Sequence, residues 1–355
     1  MYNISDVDRN FVISTGMKRD DIRFFDARND PFRLYGVMFE NGRFCRMTNS
    51  AAKNVSDAVF WLNRNTAGGR VRFVTDSEYV AISAKMDNIG RMSHFSLTGS
   101  AGFDLLYSKD SNGDLLYKKA FVPPYDMKDG YESVIDFDSR KKRVVEINFP
   151  LYSDLISLNI GLCADCVLEK APDYKIDKPV VYYGSSITQG ACASSPGKTY
   201  QSIISVMLDC DYLNLGFSGS AKGEQAMADY IKNLEMSAFV LDYDYNAPTI
   251  QDLTETHEKM FITIRKAQPD LPIVILSRPK CLLNEEDICR FNVIKKTYDN
   301  AVRFGDKNVY LLSGSYLMND LTGNEGLVDD IHPTDVGFMS IARNLGNLLK
   351  EIILK

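Results

Sequence analysis

Two hydrophobic rhythms divide the chain. Over residues 11–169, apolar and polar residues alternate in short runs separated by turn residues. Arg33-Leu-Tyr-Gly-Val-Met-Phe39 is followed by Glu40-Asn-Gly42 and then Arg43-Phe-Cys-Arg46. Asn-Gly between two such runs predicts a hairpin. Further strands are expected at 70–75, 79–84, 102–107, 115–117, 142–149 and 155–160, with a turn at Asp110-Ser-Asn-Gly113. Many short strands, no long amphipathic helix and no internal repeat predict an antiparallel sandwich.

From residue 180 the rhythm changes. Apolar strands at 180–184, 212–216, 238–243, 273–277 and 309–312 alternate with helical patterns at 199–208, 224–233, 249–267 and 285–304, and a last helix spans 335–354. Strands separated by helices of this length predict right-handed βαβ units and a parallel sheet with helices on both faces. Residues 169–179 carry Pro172, Pro179 and several charges without apolar periodicity, so they read as a linker. The expected division is an all-β sandwich over 1–172 and an α/β domain over 173–355.

Composition narrows the function classes. The 355 residues are 45% hydrophobic and 25% charged, enough apolar material for two cores. A net charge of -6 and no basic run argue against a nucleic-acid partner. No apolar run approaches the roughly 18 residues that span a bilayer, and the amino terminus lacks the pattern of a signal peptide. The seven scattered cysteines do not form a disulfide framework. A soluble protein of the reducing cytoplasm is expected. Cys163-Ala-Asp-Cys166 has half-site spacing, but without a second pair it reads as a strand end.

Candidate chemistry gathers in the second half. Parallel sheets place ligands at the carboxyl ends of their strands. Four loops there hold unusual polar residues: Gly184-Ser-Ser-Ile-Thr188, the glycine-rich Gly216-Phe-Ser-Gly-Ser-Ala-Lys-Gly-Glu224, Asp242-Tyr-Asp-Tyr-Asn-Ala-Pro248, and Asp329-Asp-Ile-His-Pro333. A serine at such an edge can be a nucleophile if a histidine reaches it, or an ordinary turn residue. Among the other polar residues, His257 reads as solvated, Lys222 and Glu224 as helix-capping, and His94 has no evident partner. Arg70 and Arg72 fit either a substrate contact or the solvated face of a strand, the latter favoured. Arg278, at a strand end, is open to a substrate or a structural role.

These blocks, in this order, resemble the SGNH (GDSL-type) esterase superfamily. The resemblance implies a flavodoxin-like sheet and puts the nucleophile at Ser186, with Ser185 where relatives commonly carry aspartate. It puts Asp329 and His332 in a catalytic triad with Ser186. It assigns an oxyanion hole to the Ser186 and Gly219 N–H groups and the Asn246 amide. Gly102-Phe-Asp-Leu-Leu-Tyr107 is similar, with one extra residue, to the Gly-x-Asp-Leu-Tyr signature of a sandwich domain found in one branch. The resemblance implies no cofactor and no metal.

The expected function is removal of a small acyl group, acetyl above all, from a carbohydrate or similar small ester through an acyl-enzyme. Two alternatives stand beside it. One is an acyltransferase using the same serine on an alcohol or sugar acceptor. The other is a glycan-binding protein that has kept the scaffold without the activity. The partner in each case is a small-molecule or oligosaccharide ester, with no membrane. The sandwich could bind glycan, wall one side of the cleft or serve as a homo-oligomer contact, and Trp61 is compatible with sugar binding.

Overall fold

A computed structural model of the chain describes residues 4–8, 17, 19–110 and 114–354. The turn expected at 110–113 lies mostly outside them. Two antiparallel sheets face each other in the first half. One runs Ile22–Asp26, Asp154–Cys163, Tyr79–Asp87, Gly130–Asp136. The other runs Leu168–Glu169, Arg70–Thr75, Arg143–Asn148, Phe103–Tyr107, Leu116–Phe121, with Arg33–Tyr35 also paired to Arg70–Thr75. Their facing side chains, among them Val71, Phe73, Ile82, Phe103, Val145 and Ile160, form one core.

The Asn-Gly hairpin is present: Glu40 pairs with Arg43, and Asn41 and Gly42 have φ of 52° and 79°, the turn geometry these residues tolerate. The run predicted as one strand over 33–39 is instead broken at Gly36, where φ is 69° and a Cβ would sit 2.2 Å from the Gly68 carbonyl oxygen. Two helices, Asn49–Val55 and Asp57–Leu62, escape the pattern because each is too short to show a period. Ser56 ends the first and caps the second by accepting from the Val59 N–H at 3.1 Å. Their buried residues Ala52 and Val59 do not join the sandwich core. They pack into the core of the α/β domain.

The second half is a five-stranded parallel sheet. Its order is Cys210–Gly216, Ile176–Gly184, Ala238–Asp242, Ile273–Leu276, Val309–Leu312, the 2-1-3-4-5 order of a flavodoxin-like fold. Alternate residues serve opposite layers. Val181, Tyr183, Leu215, Phe239 and Leu241 meet the helices Gln225–Ile231, Ile250–Ala267 and Glu285–Arg303, whereas Val180, Tyr182, Val240 and Val274 meet Tyr200–Leu208 and Asp335–Ile353. Both faces are covered, which is why these strands read as continuous apolar runs. The first strand begins four residues earlier than expected, inside the presumed linker. Its register shifts between Ile176 and Val180, where Pro179 has no N–H to give the ladder.

Arginines join the halves. Arg70 is fully buried and donates to the Tyr174 hydroxyl at 2.8 Å, the Tyr212 carbonyl at 3.2 Å and the Asp211 carboxylate. Arg72, 5% exposed, pairs with Glu146 at 3.5 Å and lies over the Tyr174 ring. Both are tied up inside the molecule rather than on a solvated strand face, which corrects that reading, and Arg70, with no exposed surface, cannot meet a substrate. Arg46, also buried, donates to the Asn214, Gly216 and Leu62 carbonyls. Asp104, the aspartate of the Gly-x-Asp-Leu-Tyr-like stretch, accepts from the Gly197 N–H at 2.6 Å and from Asn148 at 2.9 Å. A Cβ on Gly197 would come within 2.9 Å of that carboxylate. The Cys163–Cys166 pair is a strand end with free thiols, as expected.

His257 is not solvated. It is 2% exposed, its Nδ1 shares a 2.8 Å hydrogen bond with Thr297, and burial pushes its pKa down to about 3. Glu224 holds the N-cap position without a side-chain cap; its carboxylate accepts from Tyr183 and from the Lys222 N–H.

Removing a partner from a buried ion pair costs about 3–5 kcal/mol, so Arg70→Met, which strands the Asp211 carboxylate, should lower urea-unfolding stability by about that amount. A loss under about 1 kcal/mol would contradict the interdomain role of Arg70. The buried His257 makes a second prediction. The unfolded chain takes up a proton near pH 6.5 and the folded chain only near 3, so this residue's contribution falls as pH drops through that window. His257→Gln should therefore lose less stability than the parent between pH 7 and 4, measured by urea midpoints at each pH.

Candidate active site

The carboxyl edge of the parallel sheet collects all four polar loops. The strand Ile176–Gly184 lies between its two neighbours where the strand order reverses, and such a switch point opens a crevice. Gly184 ends the strand where a Cβ would meet Thr188 at 2.0 Å and the Asp242 carbonyl at 2.4 Å. The chain then enters the helix Ser186–Gln189. Ser185 caps it, its Oγ accepting from the Ile187 N–H at 3.2 Å. This accounts for the serine at a position where aspartate is common: a hydroxyl does the capping.

Ser186 Oγ lies 2.9 Å from His332 Nε2, and His332 Nδ1 lies 2.7 Å from Asp329 Oδ2. Asp329 is held by its own short loop, its Oδ1 accepting from the His332 N–H at 2.8 Å and the Ile331 N–H at 3.2 Å. Burial raises the Asp329 pKa, but these N–H groups and the imidazole outweigh it and hold the carboxyl below its ordinary value. An ionised carboxylate only accepts, so Nδ1 carries the ring proton and Nε2 faces Ser186 as an acceptor. This is the arrangement that lets a serine hydroxyl lose its proton on attack.

Gly219 has φ of 65° in the glycine-rich loop, and a Cβ there would meet nothing within 4 Å. The glycine is therefore needed for its backbone conformation, not because protein atoms crowd it. Asn246 ends the short turn Asp244–Asn246 and donates to the Phe217 carbonyl at 2.9 Å, tying the third loop to the second. Arg290 donates to Asp244 at 2.8 Å and to the Ala247 carbonyl at 2.8 Å. Arg278 pairs with Asp244 at 3.3 Å and with Asp287 at 3.1 Å and lies over the Tyr245 ring. Of its two open roles, the structure assigns Arg278 the structural one: it braces the Asn246 turn.

Sequence reasoning missed the residues that support this edge. Gln189 accepts from the Ser218 N–H at 2.9 Å and donates to Asn65 at 3.1 Å and the Leu151 carbonyl at 3.2 Å. Tyr152 donates to the Ser186 carbonyl at 3.3 Å. Asn65, Leu151 and Tyr152 all come from the sandwich half, and nothing local in their sequence marks them. His94, which had no evident partner, lies beside the triad. Its Nε2 is 3.7 Å from Asp329 Oδ2, and its ring centroid is 5.9 Å from that of His332. Cys192 is also nearby, but burial and the Asp329 charge push its thiol up to about 12, so it stays protonated and does not rival Ser186 as a nucleophile. Trp61 is 58% exposed, with Arg64 over its ring.

The two halves of the chain have counterparts among known proteins. The profile of the GDSL-like lipase/acylhydrolase family matches residues 177–350, and that of the N-terminus of SGNH-hydrolase-type esterases matches residues 22–168. A solved GDSL-like lipase from Bacteroides ovatus ATCC 8483 is 24% identical, with TM-score 0.84 over 94% of this chain and 98% of that one. A salicylyl-acyltransferase from a tetracycline biosynthetic pathway is 19% identical, with TM-score 0.76 over 95% and 100%. An acetyl xylan esterase from the rumen bacterium Butyrivibrio proteoclasticus is 15% identical, with TM-score 0.56 over 93% and 98%. No curated protein matches the chain.

Proposed function

The chain belongs to the GDSL-like lipase/acylhydrolase family and carries the N-terminal domain of SGNH-type esterases, and on that footing we propose that it is a serine esterase removing a small acyl group, acetyl first, from a carbohydrate or similar ester. The observation that carries the reading is the hydrogen-bonded chain from Ser186 Oγ through His332 to Asp329.

In this mechanism Ser186 Oγ attacks the ester carbonyl carbon while His332 Nε2 takes its proton. Asp329 stabilises the imidazolium that forms. The new oxyanion is met by the Ser186 and Gly219 N–H groups and the Asn246 amide, whose position the Phe217 carbonyl and Asp244 set. The imidazolium returns its proton to the leaving alkoxide, and water entering by the same base releases the acid. Neither cofactor nor metal takes part in these steps.

A carbohydrate leaving group is supported by the acetyl xylan esterase among the similar folds. The acyltransferase alternative is favoured by one observation, the likeness to a salicylyl-acyltransferase. The two differ only in whether water or an alcohol enters the acyl-enzyme.

Ser186→Ala should lower kcat on p-nitrophenyl acetate by about 10³-fold or more, and Asn246→Ala by about 10²–10³-fold, both with unchanged circular dichroism. Full activity in Ser186→Ala would sink the mechanism. Across acetyl, butyryl and octanoyl esters, kcat/KM should fall with chain length. Acetylated xylo- or manno-oligosaccharides should release acetate, whereas transfer products with added sugar acceptors would favour the acyltransferase. Sugar binding without any ester cleavage would point to the glycan-binding alternative.

A further inference from the structure

We propose that His94, Cys192 and His332 form an inhibitory binding site for a borderline divalent cation, with zinc as the type case. One imidazole nitrogen from each histidine and the Cys192 sulfur all lie within 4.8 Å of one another. Nitrogen and sulfur ligands around a tetrahedral zinc stand about 3.3–3.8 Å apart, from bond lengths of about 2.0–2.3 Å. The cluster therefore has to tighten by about 1 Å. The His94 side chain, 43% exposed, has room to make that movement.

Three independent features suit the cluster to a metal. His332 donates its Nδ1–H to Asp329, so the Nε2 lone pair that faces Ser186 at 2.9 Å is the one a metal would take, in the carboxylate–histidine–metal arrangement. Cys192 holds φ of 73°, a conformation uncommon for a residue with a Cβ and one that clusters at functional sites. The donor set, two imidazoles and a thiolate, selects zinc, cobalt or cadmium and rejects magnesium and calcium. Three protein ligands leave a fourth position for water.

The ligands come from three segments: the sandwich half, the loop after the Ser186 helix, and the last loop before the final helix. On binding, the Cys192 thiol gives its proton to solvent and its sulfur bonds the metal, while His332 Nε2 gives the metal the lone pair that otherwise accepts the Ser186 proton. Ester hydrolysis then stops, and removing the metal restores it. Metal binding itself stands apart from the proposed esterase activity; only the inhibition rests on it.

The test titrates the metal-free full chain with Co²⁺ and Zn²⁺. Co²⁺ should produce a thiolate charge-transfer band that Zn²⁺ abolishes by displacement. Zn²⁺ should inhibit p-nitrophenyl acetate hydrolysis, with recovery on adding EDTA and no effect from Mg²⁺. Cys192→Ala should retain hydrolysis in metal-free buffer, and Cys192→Ala and His94→Gln should each bind about 10–100-fold more weakly, with inhibition weakened in proportion. Absence of the band, wild-type affinity in both variants, or equal inhibition by Mg²⁺ would overturn the proposal. A chain that binds Co²⁺ through Cys192 but cleaves no ester would leave this site standing and remove the esterase reading. A chain that cleaves esters without the band would do the reverse.

Discussion

The clamp on the strand Cys210–Gly216 is the constraint on which the active edge depends. This strand is the outermost of its sheet, with a paired neighbour on one side only. Three of its carbonyls and one carboxylate are met from the sandwich half. Arg70 takes the Asp211 carboxylate and the Tyr212 carbonyl, and Arg46 takes the Asn214 and Gly216 carbonyls. Two buried guanidiniums are costly to desolvate, and the cost is recovered only when several acceptors surround each one. Planar, five-donor side chains meet that condition here. An unpaired edge is thereby covered as well as fixed, which removes the hazard that an open strand presents.

The glycine-rich loop starts where Arg46 ends its grip. In the proposed mechanism Gly219 offers its N–H to the oxyanion, so a displaced strand end would move that donor. The same dependence recurs on the other side of Ser186. Gln189 joins Ser218 to Asn65 and Leu151, and Tyr152 meets the Ser186 carbonyl. The first half thus supports this edge through hydrogen bonds as well as through the apolar packing of Ala52, Val59 and Leu151 into the α/β cores. Asp104 and Gly197 add a further join, and the space for that carboxylate exists because residue 197 lacks a Cβ.

Electrostatics at the edge follow from how each group is satisfied. Asp329 accepts two backbone N–H bonds and an imidazole, and it stays ionised in a partly exposed loop. Asp242, buried beneath the nucleophile helix with hydroxyls of Thr188 and Tyr200 as its donors, is pushed up to about 7 by burial. Only the first of these carboxylates is equipped to steady a positive imidazole. His94 and Cys192 complete the surroundings, and they give the same histidine a second use as a metal ligand.

The sequence by itself determined the elements whose signal is local. The five parallel strands and their helices lie within a few residues of their expected bounds, because a repeating apolar period over four to nineteen residues needs no distant partner to be read. The Asn41-Gly42 turn and the order of the four polar loops were equally legible, and the resemblance those loops carry singled out Ser186, Asp329 and His332, which the structure joins by hydrogen bonds. Tertiary structure decided everything that depends on which segments meet. It turned Arg70 and Arg72 from surface or substrate candidates into buried ties, buried His257, and made Arg278 a brace. It brought His94 across from the other half of the chain to the side of Asp329. The physical reason is the same in each case: a charged or polar side chain has no sequence period of its own, and whether it is solvated, paired or poised for chemistry is set by neighbours far away along the chain.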